Sequence, residues 1–427
     1  MKPIGRLPNG KKTGSLDAMK ASLPRLLLLW FLLMFLVSWS FGQANPKQIA
    51  QATPRELAQW LKRFPEADAD KNGTLTVSEA QAYWQRTRGT KNKSARVGAP
   101  PPPKVHEGWD AERFPEHAMC YKSAEELAKI YGKTPAYPKP EDGSLRIVGT
   151  GHSFMAPGYK TMPVIVQAAG FKQPPAFTHT GGGATGSARY KWEQENGIFQ
   201  FDGKATPKLL TAIANGEWDA MMWGPYFHDR PAYYLCWIDY ALKYNPDMRF
   251  YLSDAWVQID LLDPLPRSEK EFSAAVIRKL DTEKNAHFHE KVEVLRKAHP
   301  GKVFILPTSE AMVLAAEHLE RGELPGIEGM HKLFGKKDRS LWRDRLGHLG
   351  PGFEWLEGYV FYATMYKRSP MLIEGDVIRA GKFPSRELDQ VFRKIAWQAV
   401  INHPMSGVTD KDGDGIGDDV DEERKSR

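Results

Sequence analysis

The chain is poor in cysteine, with only Cys120 and Cys236 among 427 residues. That excludes a disulfide-stapled scaffold and a cysteine-rich metal cluster. Export would make the two thiols candidates for one disulfide, and burial as free thiols stands equally open. HExxH and HxxxH spacings are missing, so the histidines show no zinc-hydrolase pattern. No stretch interleaves basic residues with aromatics. The formal charge of +7 is concentrated at the start, where Lys2, Arg6, Lys11, Lys12, Lys20 and Arg25 face only Asp17. The remainder is near balance, and nucleic acid is not an expected partner. Ordinary core material is plentiful: 41% of residues are apolar and 11% aromatic, enough for a large interior with smaller attachments.

Residues 1–44 read as a secretory signal peptide. Basic residues precede an almost wholly apolar run from Leu26 to Phe41, and the small residues of FGQA follow, ending at Ala44. The run is short for a membrane span, which needs ~20 residues. An uncleaved anchor is the alternative, and Met19 is a candidate true start. The expected location is secreted, periplasmic or at the cell surface, with no membrane association beyond this segment.

Residues 45–97 form a small module. PRELAQWLKRF sets Leu57, Trp60, Leu61 and Phe64 at helical spacing, with Pro54 in the first turn. DADKNGTLTVSE then matches the calcium loop of an EF-hand. Asp68, Asp70 and Asn72 offer oxygens at positions one, three and five, and Gly73 allows the bend. Thr74 offers its carbonyl, Thr76 stands where a water often mediates, and Glu79 closes the set with a bidentate carboxylate. Calcium is a hard cation that takes such oxygens, and a surface acidic turn is the plainer reading. Residues 98–104, with four successive prolines, predict a semi-rigid linker.

The main domain is expected over 105–408. LRIVGTGHSFM, from Leu145 to Met155, runs from a β-branched strand through Gly149 and Gly151 to Ser153. Glycines permit a sharp turn there, and a serine so placed stands at the carboxyl edge of a parallel sheet. Strands in PPAFTHT, WDAMMWGPYF, MRFYLSDAW and KVFILPTS alternate with predicted helices in TMPVIVQAAGF, TPKLLTAIANGEW, PAYYLCWIDYALKYNP and SEAMVLAAEHLERG. That alternation predicts an α/β fold with a mainly parallel sheet between helical layers. The charged segment Ser268–His299 reads as a solvated amphipathic helix. Asp344 and His348 precede a helix carrying Phe353, Leu356, Val360 and Ala363 on one face, and Ser385 caps a closing helix.

Residues 409–427 form an acidic tail. DKDGDGIGDDVD offers Asp410, Asp412, Asp414, Asp418 and Asp421 as oxygen donors around Gly415. Its donor spacing resembles a thrombospondin type 3 calcium repeat, with a disordered acidic tail as the alternative.

A serine after the first strand, glycines after the second, and an aspartate and histidine before a late helix together resemble the SGNH, or GDSL-like, hydrolase family over most of 145–370. The resemblance implies a three-layer, flavodoxin-like α/β/α sandwich and an esterase or deacylase. GTGHSF would supply Ser153 as nucleophile and first oxyanion donor. One of Gly181–Gly183, taken as Gly182, would be a second donor, His348 the base and Asp344 its partner. Two features depart from the family pattern. Three residues separate Asp344 from His348 where two are usual, and WDAMMWGPYF has no asparagine for the oxyanion hole. Gly224 marks the equivalent turn and Tyr226 is a substitute donor. His152, beside the serine, is a rival base, and His179 and His228 also lie near strand ends. The expected substrate is a small-molecule or polysaccharide ester, with calcium as the cofactor and none needed for catalysis. A calcium-dependent extracellular binding protein on a decayed hydrolase scaffold is the alternative.

Overall fold

A computed structural model of the chain describes residues 52–83, 122–180, 207–224, 230–254 and 256–425. The signal segment, the proline-rich linker, Cys120, Gly181–Gly183, Tyr226 and His228 lie outside the described residues. Among the described residues, no helix is long and apolar enough to cross a membrane. The chain divides into two units, Met1–Ala95 and Arg96–Arg427.

In the first unit, helix α1 (Pro54–Arg63) begins at a capping box. Thr53 Oγ1 accepts the Glu56 N–H at 3.3 Å, and the Glu56 carboxylate accepts the Thr53 N–H at 2.7 Å. A short 3-10 turn (Pro65–Ala67) leads into the acidic loop, and a helical stretch at 77–83 follows it. Leu57, Trp60, Ala67, Leu75 and Ala80 close a small core.

The second unit is a three-layer α/β/α sandwich. In chain order it runs α2 (Ala124–Ile130), β1 (Ile147–Gly151), α3 (Ala156–Ala168), β2 (Phe177–Thr180), α4 (Lys208–Asn215), β3 (Ala220–Trp223), α5 (Pro231–Tyr244), β4 (Arg249–Ser253), α6 (Ala274–Ala298) and β5 (Val303–Leu306). Then come α7 (Thr308–Glu320), β6 (Gly329–His331), β7 (Ser340–Trp342), α8 (Phe353–Tyr366), α9 (Arg386–Asn402) and α10 (Asp418–Lys425). The main sheet has the order β2-β1-β3-β4-β5 and every pair is parallel. Pleating splits its residues between two cores. Ile147, Met222, Tyr251 and Leu306 face α3, α7, α8 and α9. Val148, Met221, Phe250 and Ile305 face α2, α4 and α5. This order reverses direction between β1 and β3, and the crevice at their carboxyl ends is where such sheets bind ligands.

The charged segment forms α6 as an amphipathic helix, with Lys279, Glu283 and Glu290 exposed and Asp281 and Asn285 turned into the interior. Ser309 Oγ and Asn285 Nδ2 both donate to Asp281 Oδ1, which is why burial there is tolerated. The acidic tail is not a free appendage. Ile416 bridges to Arg368, Ser369 N–H donates to Gly415 O at 2.7 Å, and Trp397 Nε1–H donates to Asp410 Oδ2 at 3.1 Å. The expected helix in TMPVIVQAAGF also starts earlier, at Ala156, just beyond Ser153.

Helix α3 is fixed by a close crossing with α8. Gly358 lies against Thr161 and Ile165, Gly158 lies against Phe361, and Thr161 Oγ1 donates to Glu354 O at 2.6 Å. The buried Glu357 carboxyl accepts the Gly158 N–H at 2.7 Å, and burial drives its pKa well above the usual range. Gly358→Ala would gain about 1 kcal/mol in an open helix. Here the new Cβ meets Thr161 Oγ1 and sits 2.9 Å from Ile165 Cδ1, so overpacking should win. Urea unfolding is expected to show a net loss of about 1–3 kcal/mol. A stabilised variant would mean that α3 and α8 separate freely.

Candidate active site

Strand β1 ends at Gly151, whose φ of 142° lies outside ordinary strand geometry. A side chain there would crowd the Gly224 amide and Met155, so glycine is required where the chain leaves the sheet. The turn that follows buries His152, Phe154 and Met155 and leaves Ser153 exposed at the β1/β3 switch point. One short turn thus anchors itself with three side chains and presents the fourth.

The second half of the site comes from a hairpin 195 residues later. Trp342 bridges antiparallel to Leu349, and Arg343 N–H donates to His348 O at 2.9 Å. Between them Asp344 O accepts the Gly347 N–H at 2.9 Å, and Gly347 has a left-handed φ of 89°. That glycine absorbs the extra residue in the Asp344 to His348 spacing. The Asp344 carboxylate consequently reaches the His348 ring, with Nδ1 2.8 Å from Oδ2 and 3.0 Å from Oδ1, and it also accepts the His348 backbone N–H at 3.2 Å. Across the gap, His348 Nε2 is 2.7 Å from Ser153 Oγ.

The bonding pattern assigns the tautomer. Nδ1 carries the proton toward the carboxylate, leaving Nε2 to accept from the serine hydroxyl. Burial raises the Asp344 carboxyl, but the His348 N–H groups outweigh it and hold the pKa below the ordinary value. Arg343 Nε, 3.6 Å from Asp344 Oδ2, acts in the same direction. Aromatic rings wall the imidazole. Phe154 meets it edge-on with centroids 5.2 Å apart, and Trp256 stacks on Phe154 at 5.1 Å.

The structure therefore brings Ser153, His348 and Asp344 together. Gly224 lies beside them at the carboxyl end of β3, with its amide next to Gly151. Gly182 and Tyr226 lie outside the described residues. His152 is occupied elsewhere: its Nδ1 accepts the Phe154 N–H at 3.3 Å. His179 sits on edge strand β2, where its carbonyl accepts from Thr150 Oγ1. Cys236 is a free thiol whose pKa is pushed up to about 12 by burial and the nearby Asp239. A groove of about 730 Å³ lies between α3 and β2, lined by Ala156, Tyr159, Lys160, Phe171, Thr178 and Thr180 among others, and Ser153, His348 and Asp344 are not part of its wall.

Sequence reading missed the supports. His331 is buried, its Nδ1 accepts the Leu333 N–H at 3.1 Å, and its Nε2 lies 3.1 Å from Asp344 O. Its ring thus holds the first residue of the Asp344–His348 turn. Trp256 Nε1–H donates to Gly347 O at the other end of that turn. Neither role leaves a local signal, because each partner is distant in sequence.

Two acidic loops gather carboxylate oxygens. In the first unit, carboxylate oxygens of Asp68, Asp70 and Glu79 lie within 4.8 Å of one another, and those of Asp410, Asp412 and Asp414 do so in the tail. The loops share one backbone plan. Asp68 Oδ2 accepts the Gly73 N–H at 2.8 Å, and Asp410 Oδ2 accepts the Gly415 N–H at 3.1 Å. Asn72 Oδ1 accepts the Thr74 N–H at 2.8 Å, as Asp414 Oδ1 accepts that of Ile416 at 2.7 Å. Gly73 and Gly415 both have left-handed φ. Glu79 is also bonded to Thr76, through its hydroxyl at 2.6 Å. Asp418 and Asp421 are not in the tail's three-carboxylate cluster, and Asp418 instead accepts from Thr409 Oγ1 and the Lys411 N–H. Clustered hard oxygens around a sharp glycine bend fit calcium.

No family model matches the sequence, and no curated protein matches it. Among solved structures the chain is similar to a DUF4886 family protein from Bacteroides uniformis. The two share 10% identity and a TM-score of 0.39, over 61% of this chain and 95% of that one.

Replacing His331 by phenylalanine removes a donor from Asp344 O and an acceptor from Leu333 N–H. Unfolding by urea near neutral pH should show a loss of about 1–3 kcal/mol. Burial holds the His331 pKa below the ordinary 6.5, so the unfolded chain binds its proton more readily than the folded one. The stability conferred by the neutral ring is present above pH 6.5 and is lost as pH falls through the folded value. The gap between wild type and His331→Phe should therefore narrow below pH 6.5. A constant gap would show that His331 is not held neutral by the fold.

Proposed function

We propose that this chain is an exported serine esterase or deacylase that works through Ser153, His348 and Asp344. The hydrogen-bonded relay from Ser153 Oγ to His348 Nε2 at 2.7 Å, and from Nδ1 to Asp344 at 2.8 Å, carries the reading. As an ester carbonyl comes within reach, Ser153 Oγ attacks it while His348 Nε2 takes the hydroxyl proton. Asp344 holds the ring in the required tautomer and stabilises the imidazolium. The Ser153 N–H and the Gly224 N–H are the donors we assign to the developing oxyanion, with Gly182 as a third. Collapse expels the alkoxide, which takes the proton back from Nε2. Water then enters by the same route, with His348 again as base, and releases the acid. An acylated small molecule or polysaccharide is the substrate class we favour.

Ser153→Ala and His348→Ala should each lower turnover of an acetyl ester by about 10⁴-fold or more. Asp344→Asn should cost less, about 10²–10⁴-fold, because its carboxylate is partly hydrated. A fluorophosphonate probe should label wild type on Ser153 and leave Ser153→Ala unlabelled. A wild-type protein inert to both reagents would favour the calcium-dependent binding role.

For the acidic loops, Asp68, Asp70, Asn72, Glu79 and the Thr74 carbonyl would hold one calcium ion. Asp410, Asp412 and Asp414 would hold a second, with Asp418 and Asp421 available on rearrangement. Calcium there supplies charge neutralisation among crowded carboxylates and a cross-link through each loop. Lone loops of this kind bind in the range of roughly 10⁻⁴–10⁻³ M, and saturation at 100 times Kd stabilises by about 2.7 kcal/mol. Calorimetric titration should therefore resolve two sites, one lost in Asp68→Ala and the other in Asp410→Ala, with ester turnover intact in both. Heatless titration of wild type would refute calcium binding.

A further inference from the structure

Trp256 reaches the Asp344–His348 turn from a distant part of the chain. Its side chain is buried, its indole N–H donates to Gly347 O, and its ring stacks on Phe154 at 5.1 Å with an interplanar angle of 24°. Phe154 in turn meets the His348 ring edge-on, at 5.2 Å and 87°. One side chain thus grips the residue immediately before His348 and, through Phe154, the imidazole itself.

Trp256 is itself held from behind by polar groups of α6 and the start of α7. Lys284 of α6 donates its ammonium to Trp256 O at 2.8 Å. Two residues before Trp256, the buried Asp254 accepts the Ser309 N–H at 2.7 Å and the Thr308 hydroxyl at 3.0 Å, which ties the segment to the start of α7. Asp281 lies one helical turn before Lys284 and accepts from Ser309 Oγ. Desolvation pushes Asp254 up and Lys284 down. Such a cluster is costly to bury and weak evidence for stability; its bonds tie Trp256 O to α6 and Asp254 to the start of α7.

The need for a clamp follows from Gly347. A left-handed glycine solves the Asp344 to His348 spacing, but it is the most permissive residue available beside a base. Without a partner on its carbonyl, the peptide joining Gly347 to His348 is held only through its N–H, by the bond of 3.2 Å to Asp344 Oδ1, and any rotation of that peptide moves the base with it. Misplacement of about 1 Å at a reacting group can cost 10²-fold in rate.

We propose that Trp256 is a positioning residue for His348, clamping the Gly347 carbonyl with its indole N–H, and that Lys284 and Asp254 exist to hold Trp256 in place. The kinetic consequence rests on Ser153 and His348 acting as nucleophile and base, whereas the positional role does not.

The test uses full-length Trp256→Phe, which keeps a ring against Phe154 and removes the donor, and Lys284→Met, which keeps the stem and removes the ammonium. Both should lower kcat about tenfold or more with KM within about twofold. The second readout needs no turnover: the downfield proton resonance of the His348 Nδ1–H bonded to Asp344. It should be sharp in wild type and broadened or shifted in both variants. Wild-type kcat with a wild-type resonance in a folded Trp256→Phe would overturn the proposal. If that variant does not fold, Lys284→Met decides by the same resonance, unchanged meaning that the clamp is wrong. If wild type turns over no ester, the reading of function fails while the resonance still decides the clamp.

Discussion

Everything at the candidate site depends on one hydrogen bond, that between Ser153 Oγ and His348 Nε2. It joins two segments that share no secondary structure, so its 2.7 Å length is only as reliable as the elements behind each partner. On the serine side the support is the parallel sheet: β1 is paired on both edges and Gly151 ends in register with Thr180. Helix α3 then begins at Ala156 and is pinned by α8 through Gly158, Gly358 and Glu357. On the histidine side there is no sheet of comparable size. A hairpin loop must hold its shape through side chains, and His331 and Trp256 bind its two carbonyls.

Much of this was legible in the sequence. The β-branched run ending in glycines placed Ser153 at a strand end, because strand and turn chemistry are local. The alternation of strands and helices specified a parallel sheet for the same reason. Asp344 and His348 are legible as residues, but it is the left-handed conformation of Gly347 that reconciles their spacing. Only the backbone conformation shows that three intervening residues fold into a turn that brings carboxylate and ring together. Trp256 and His331 could not be found this way, since an indole or imidazole bonded to a remote carbonyl leaves no periodicity behind.

Two charged segments make more interior contact than their charge alone implies, and for one reason. Charge predicts full exposure only where no partner is available. In α6 the partners are Ser309 and Asn285 for Asp281, and Trp256 O for Lys284. In the tail they are backbone groups at Lys367 and Ser369 and the indole of Trp397. The tail's loop is thereby pre-shaped by its attachment to α9 and to the end of α8, which lowers the ordering cost that an ion would otherwise have to offset.

The electrostatics of the triad reinforce the weight placed on geometry. Asp344 has 42% of its side chain exposed, so water screens its charge and limits what it contributes by field alone. A carboxylate in that setting is more useful for what it does to direction: it fixes the Nδ1 proton and with it the lone pair on Nε2. Direction, however, is a property of the whole turn. A half-hydrated acid can orient a base only if the peptide carrying the base is already still, and stillness next to Gly347 has to be imposed from outside. The buried rings of Phe154 and Trp256 and the carbonyl bonds from His331 and Trp256 supply that constraint. The weaker the field of the acid, the more of the alignment must come from these contacts.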